Sequence, residues 1–434
     1  MFCFLVASAL SVTNACGHAR CTLQERIDAL AESGGGVVRV EPGIHETCAL
    51  KLRSGITLHL EKGATLLAKK DAEKDYQATQ GHAFILADGV DNVAITGEGV
   101  IDGRGRDLAP GSLKVLQQPR LVWFRDCRNA SVKGVTLQNG RRWSCYFERC
   151  NGVLASRVKI RSTFQRCCDG IDLECKNALV EECDIESQDD AICIKARCSS
   201  YTVENIEVRN CRVASNCAQI KIGSETLGTI RNIDIHDIRC ETAAESMYAV
   251  DPLDKEDFEK RFGFPEPPYA YAGISLQMLD GGILENVKVR NIDLGATALV
   301  PMLMRLSHRS GRILPGVSML RNVLIENVNG AALSWIGSSV IGSGGLRPSD
   351  ITFRNVTLSV PAYGIPRGPL PEIDSLDGLI FKHNDLMPAS GLYLRHVDNV
   401  SLENVHMRKI GKGVRPLFAS EDCKGLNTSG LKEL

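Results

Sequence analysis

The sequence has no surplus of either charge: 51 basic residues against 52 acidic ones leave a formal net charge of −1. Without a basic excess there is no electrostatic footprint for nucleic acid or for an anionic membrane. No stretch reaches the ~18 uninterrupted apolar residues of a membrane helix. Zinc spacing is also missing, although there are 17 cysteines. Cys167 and Cys168 are adjacent, and Cys193, Cys198, Cys211 and Cys217 form no CxxC pair. Cys183, Cys193 and Cys211 sit inside strand patterns, where a free thiol packs as a small hydrophobe. Stacked buried thiols are therefore favoured over disulfides or metal ligands, and the redox compartment stays open.

What is present is a turn-rich β pattern: 44% apolar residues and 40 glycines. Phe2 to Leu10 is apolar and small residues follow to Ala15, the outline of a secretory segment, yet no Lys or Arg precedes it. Residues 1–21 thus read either as a signal segment or as a first strand capping the fold. Leu23, Ile27, Leu30 and Ala31 have helical spacing, and Gly34-Gly35-Gly36 stops them. A short helix there would plug the open end of a stacked array, which needs an atypical cap.

From about residue 90 a repeat dominates. Its core is Asn-apolar-x-apolar, as at Asn92, Asn129, Asn205, Asn232, Asn286, Asn322 and Asn404. A second alternating pair can be phased through Val135, Val158, Cys183, Cys211 and Ile238, roughly 23 to 28 residues apart. A leucine-rich consensus and 3.6-residue periodicity are both absent, while Val, Ile and Cys alternate with period two. The expected fold is all-β, a right-handed parallel β-helix (a solenoid) with a short N-terminal capping helix. Residues 22–434 form one such domain, with insertions near 245–271 and 361–390 as candidate cleft walls.

The chemistry is concentrated between Cys167 and Glu225. Aligning the inward residues Ile171, Ile192, Ile220 and Ile274 puts Asp169 over Asp190, followed by Ala218 and Ala272. Asp172 then falls over Cys193, Lys221 and Ser275, and Glu174 over Lys195, Gly223 and Gln277. Neighbouring coils lie ~4.8 Å apart, so Asp169, Asp189 and Asp190 are expected to share one patch. Crowded carboxylates repel, which raises at least one pKa and keeps an acid protonated near neutrality. A proton donor beside ionised partners suits glycosidic bond cleavage.

Asp169-Gly170-Ile171-Asp172, Gln188-Asp189-Asp190 and Ile222-Gly223-Ser224 together resemble glycoside hydrolase family 28, the polygalacturonase group. The opening helix, its Gly-Gly-Gly stop, the run LRSGITLHLEKGATLL and Trp143 are similar too, so that the resemblance spans most of residues 22 to 425. It implies an inverting hydrolase of pectic or related glycans, with Asp189 as general acid and Asp169 and Asp190 holding the attacking water. Two departures stand out: Cys217-Ala218-Gln219 replaces the family's Gly-His-Gly, and Ser275-Leu276-Gln277 stands where an Arg-Ile-Lys grips substrate carboxylate. Candidate substitutes that would bind substrate are Asp172, Lys195, Gln219, Lys221, Arg305 and His308, with Arg309 and the Arg395-His396 pair further off.

Three readings share this ladder. The first is a hydrolase with altered, uronate-related preference, and the long insertions point to exo action. The second is a polysaccharide lyase, which needs a Lys or Arg base and usually calcium. The third is a non-catalytic carbohydrate-binding β-helix. The hydrolase reading needs no cofactor and no metal; its partner is a polysaccharide or oligosaccharide, met in a secreted or periplasmic setting.

Overall fold

The computed structural model describes residues 23–70, 79, 82–108, 118–245, 270–308, 318–343, 345–362, 370 and 387–434. Residues 1–21 and the greater part of both insertions lie outside the described residues. The rest is a right-handed parallel β-helix: strands of successive coils pair in parallel from Gly36–Val40 to Leu431–Glu433. Period-two sequence dictates this, because a strand that alternates hides one row and needs another coil to cover its edges.

The helix Leu23–Glu32 closes the N-terminal end and buries Ile27 against the first coils. Gln24 of this helix caps the open edge of the strand Leu50–Leu52: its Nε2 donates to Lys51 O (3.0 Å) and its Oε1 accepts from Lys51 N (2.8 Å). That satisfies groups an exposed edge would offer to other chains. Gly35 ends the helix at φ +101°, where an added Cβ would meet Gly55 O at 2.7 Å.

Inside the cylinder Ile171, Ile192, Ile220 and Ile274 stack in register, each fully buried. Each such side chain contributes ~1.5–3 kcal/mol of burial. Cys127 stacks on Cys150, and Cys183 on Cys211, in adjacent coils of this interior. The described cysteines are all free thiols.

The outside corners are built on asparagine. Asn92, Asn129, Asn177, Asn205, Asn232, Asn286 and Asn322 all have φ between 53° and 58°, a conformation Asn tolerates by local hydrogen bonding. Their carboxamides bond from coil to coil, as in Asn205 Nδ2 to Asn177 Oδ1 (3.0 Å) and Asn232 Nδ2 to Asn205 Oδ1 (3.2 Å). Asn404 differs from the sequence phasing: it bonds Asn355 in a second ladder with Asn327 and Asn291, while Asn399 continues the first through Asp350. The Asn-apolar-x-apolar pattern occurs at two corners of the coil, which a one-dimensional phasing merges.

Candidate active site

One column of strands runs through Ala83–Asp88, Arg120–Arg125, Cys145–Glu148, Ile171–Glu174, Ile192–Ala196, Ala218–Thr226 and Ala270–Met278. Just before these strands the chain turns a corner, and the corner carries the acids. Gly170 N bonds Asp190 O (2.8 Å) and Ala191 N bonds Ala218 O (2.8 Å), which sets Asp169, Asp190 and Ala218 at one level of three consecutive coils.

The side chains share one electrostatic environment, since Asp169 senses the charges of Asp172, Asp189 and Asp190. Carboxylate oxygens of Asp189 and Asp190 and the Cys217 sulfur lie within 4.8 Å of one another. The same holds for Asp169, Asp172 and the Cys193 sulfur. Both groups have cation-like spacing, but an ammonium already faces each. Lys195 Nζ is 2.9 Å from Asp169 Oδ2, 2.8 Å from Asp172 Oδ1 and 3.6 Å from Glu225. Lys221 Nζ is 3.3 Å from Asp190 Oδ2, and Ala218 N donates to Asp190 Oδ1 at 3.1 Å. Asp172 is fully buried, and its contact with Lys195 is ionic without hydrogen-bond alignment.

Five carboxylates (Asp169, Asp172, Asp189, Asp190 and Glu225) face two ammonium groups. Burial, and then the charge of Asp190, push the half-buried Asp189 carboxyl above the usual range. Burial and then Asp172 push Asp169 well above it. Lys195 and Lys221 are both driven up: their carboxylate neighbours overcome desolvation and hold them charged. The patch can therefore store a proton on a carboxyl while its ammonium groups stay positive.

The remaining sequence candidates scatter. Lys195 was expected beside Glu174, but its ammonium turns back to Asp169 and Asp172, and Arg197 takes its place at Glu174. Glu174 instead accepts from Tyr146 Oη (2.7 Å) and Arg197 N (2.8 Å). Gln219 is fully buried and donates to Glu241 O (3.1 Å) and Thr297 Oγ1 (2.8 Å), away from the acids. Arg305 follows Gln277 in register, is 2% exposed and donates to Met304 O, Ser339 O and Ser339 Oγ. Desolvation lowers its pKa to about 9. His308 is bridged to Asp280 at a coil end, with Nδ1 buried and without a hydrogen-bond partner. Arg395 lies further down the Arg305 column, beside Glu421, whereas Arg309 lies outside the described residues.

Apart from Trp143, sequence reasoning missed the two coils before Asp169. Val122 and Cys145 continue the Ile171 row, so Arg120 and Trp143 occupy the level of Asp169. Trp123 and Tyr146 likewise continue the row of Asp172. Counting two residues back from the inward Val122 and Cys145 finds Arg120 and Trp143, and counting one forward finds Trp123 and Tyr146.

Residues 44–250 match the family model described as glycosyl hydrolases family 28. That match takes in just under half of the chain and includes all three aspartates. Among curated relatives, an endo-polygalacturonase of Pectobacterium carotovorum subsp. carotovorum is 31% identical over 216 residues, 44% of this chain and 53% of that protein. An endo-polygalacturonase of Pectobacterium parmentieri is 28% identical over 47% of this chain and 58% of its own length. The chain thus spans little more than half the length of these relatives. Among solved structures, an exopolygalacturonase from Thermotoga maritima superposes with a TM-score of 0.64 at 19% identity, over 89% of this chain and 87% of that one. A family 28 exopolygalacturonase of Yersinia enterocolitica gives 0.67 at 16% identity, over 93% and 74%. At such identities the superpositions establish the shared β-helix.

Proposed function

We infer that this protein is an inverting O-glycosyl hydrolase of a pectic or related, uronate-containing glycan. The observation that carries the reading is the meeting of Asp169, Asp189 and Asp190 on consecutive coils, with Asp189 biased towards its protonated form. Asp189 protonates the glycosidic oxygen as the bond to the anomeric carbon breaks. Asp169 and Asp190 hold a water on the opposite face, and Asp190, faced by Lys221, takes its proton as its oxygen attacks, so that the anomeric centre inverts. Asp172 and Lys195, both buried, act as positioning residues that keep Asp169 aimed. Lys221 and Arg305, which both feel Tyr271, supply positive charge on the C-terminal side.

A lyase on this ladder is disfavoured, since a lysine base must be neutral and Lys195 and Lys221 are held protonated by carboxylates. We take attack to be at a chain end. The solved neighbours named as exopolygalacturonases accord with that choice. A pectic substrate places the enzyme outside the cytoplasm, and no described helix is long and apolar enough to cross a membrane.

The test is a panel of pectic and related oligosaccharides with the product anomer followed by NMR. Inversion is expected, released from chain ends, and Asp189→Asn should lower kcat by ~10²–10⁴-fold. A retained configuration, or undiminished turnover by Asp189→Asn, would refute the assigned roles.

A further inference from the structure

Two coils before Asp169, at the same level of the column, Arg120 is packed among aromatic rings. Its Cζ is 4.1 Å from the Trp123 ring centroid, 4.8 Å from that of Trp143 and 5.4 Å from that of Tyr146. The rings brace one another: Trp123 stacks on Tyr146 at 6.0 Å, and Trp143 meets Tyr146 edge-on at 4.9 Å. Tyr146 Oη is fixed in turn, donating to Glu174 and accepting from Arg197 Nη2 at 2.7 Å. The rings and the Tyr146 hydroxyl therefore hold one another in place.

The box also holds two unused donors. Arg120 is 7% exposed and Trp123 6%, yet Arg120 Nε and Trp123 Nε1 are buried with no hydrogen-bond partner. Leaving such donors unmet costs free energy in a folded interior. Three of the other cations touching the same rings have carboxylates: Arg125 pairs with Asp88, Arg197 with Glu148 and Glu174, and Lys195 with Asp169 and Asp172. Arg120 has none among the described residues. Guanidinium and indole N–H groups are donors only, so their complement is an acceptor carrying negative charge.

We propose that Arg120, with the indole N–H of Trp123, forms a carboxylate-receiving subsite that makes this cleft specific for a uronate on the N-terminal side of the aspartates. It rests on the glycan-cleft reading above and replaces, on the other side of the acids, a clamp that Ser275-Leu276-Gln277 does not provide. Lys195 Nζ, 3.8 Å from the Trp143 ring centroid and bonded to Asp169, joins the box directly to the acid ladder. Two coil spacings of ~4.8 Å put Arg120 about 10 Å from Asp169 along the axis, within the reach of an oligosaccharide.

The experiment separates binding from turnover by using the full chain carrying Asp189→Asn. Titration calorimetry compares a defined oligogalacturonate with its fully methyl-esterified form. The acid should bind about 10- to 100-fold more tightly than the ester, the range of a charge-assisted hydrogen bond. Adding Arg120→Gln should abolish that preference while leaving ester affinity intact. Arg120→Lys, which keeps the cation and loses the planar fork, should retain part of it, and decides the matter if the Gln variant does not fold. Equal affinity for acid and ester, an unchanged preference in the Arg120 variants, or equal loss of both ligands would overturn the proposal. If the preference and its loss are seen but wild-type protein cleaves nothing, the subsite stands and the hydrolase reading falls.

Discussion

Lys195→Met would remove the cation on which the buried part of the ladder depends. Lys195 is 4% exposed, and its ammonium neutralises Asp169 and Asp172, which are 3% and 0% exposed. At these burials solvent screening does not reduce the effect as it does for surface pairs. Breaking such a pair from one side costs ~3–5 kcal/mol, since the carboxylates stay behind unpaired. A stacked array opens locally, so the readout is amide hydrogen exchange in the strands Ile171–Glu181 and Ile192–Ala196. Protection there should fall by roughly two to three and a half powers of ten at neutral pH. The sign of the pH dependence follows from the acids. With Lys195 gone, Asp169 and Asp172 keep raised folded-state pKa values, so their ionisation penalises the folded state above those values. The deficit should shrink as pH falls through that range and the carboxyls take up protons. Unchanged protection at pH 7, or a loss that is constant with pH, would refute this account of the ladder.

Two further outcomes can be checked separately. Activity should have an alkaline limb above the ordinary carboxylate range, because Asp189 must be protonated to act and its pKa is raised by burial and Asp190; a kcat profile across pH locates it, and Asp190→Asn should move that limb to lower pH. Asn205→Ala in the middle of the ladder loses bonds to Asn177 and Asn232 and leaves alanine at φ +58°. It should cost ~1–2 kcal/mol in local exchange of the adjoining coils, with Asn205→Gly recovering the conformational share.

The fold was legible because the period-two pattern leaves little choice: a slip of one residue would turn every inward isoleucine outward. For this reason the alignment of Ile171, Ile192, Ile220 and Ile274, and with it the level shared by Asp169 and Asp190, is reproduced in the paired strands. The asparagine corners were visible for a similar reason, although their division into two ladders was not. Long polar side chains escaped the same logic. Lys195 reaches past Glu174 to Asp169, and Gln219 folds away towards Thr297. Flexible stems settle where donors find acceptors, and those acceptors come from other coils.

By itself, then, the sequence determined the coil, its inward rows and the level on which the aspartates stand, all consequences of backbone alternation and local turn chemistry. Only the tertiary structure decided which carboxylates each ammonium neutralises, which polar groups are spent inside the cylinder, and that Arg120 is left among three aromatic rings without a counterion. Those outcomes depend on contacts between coils of unequal length, where burial sets the strength of each charge and no local pattern records the partner.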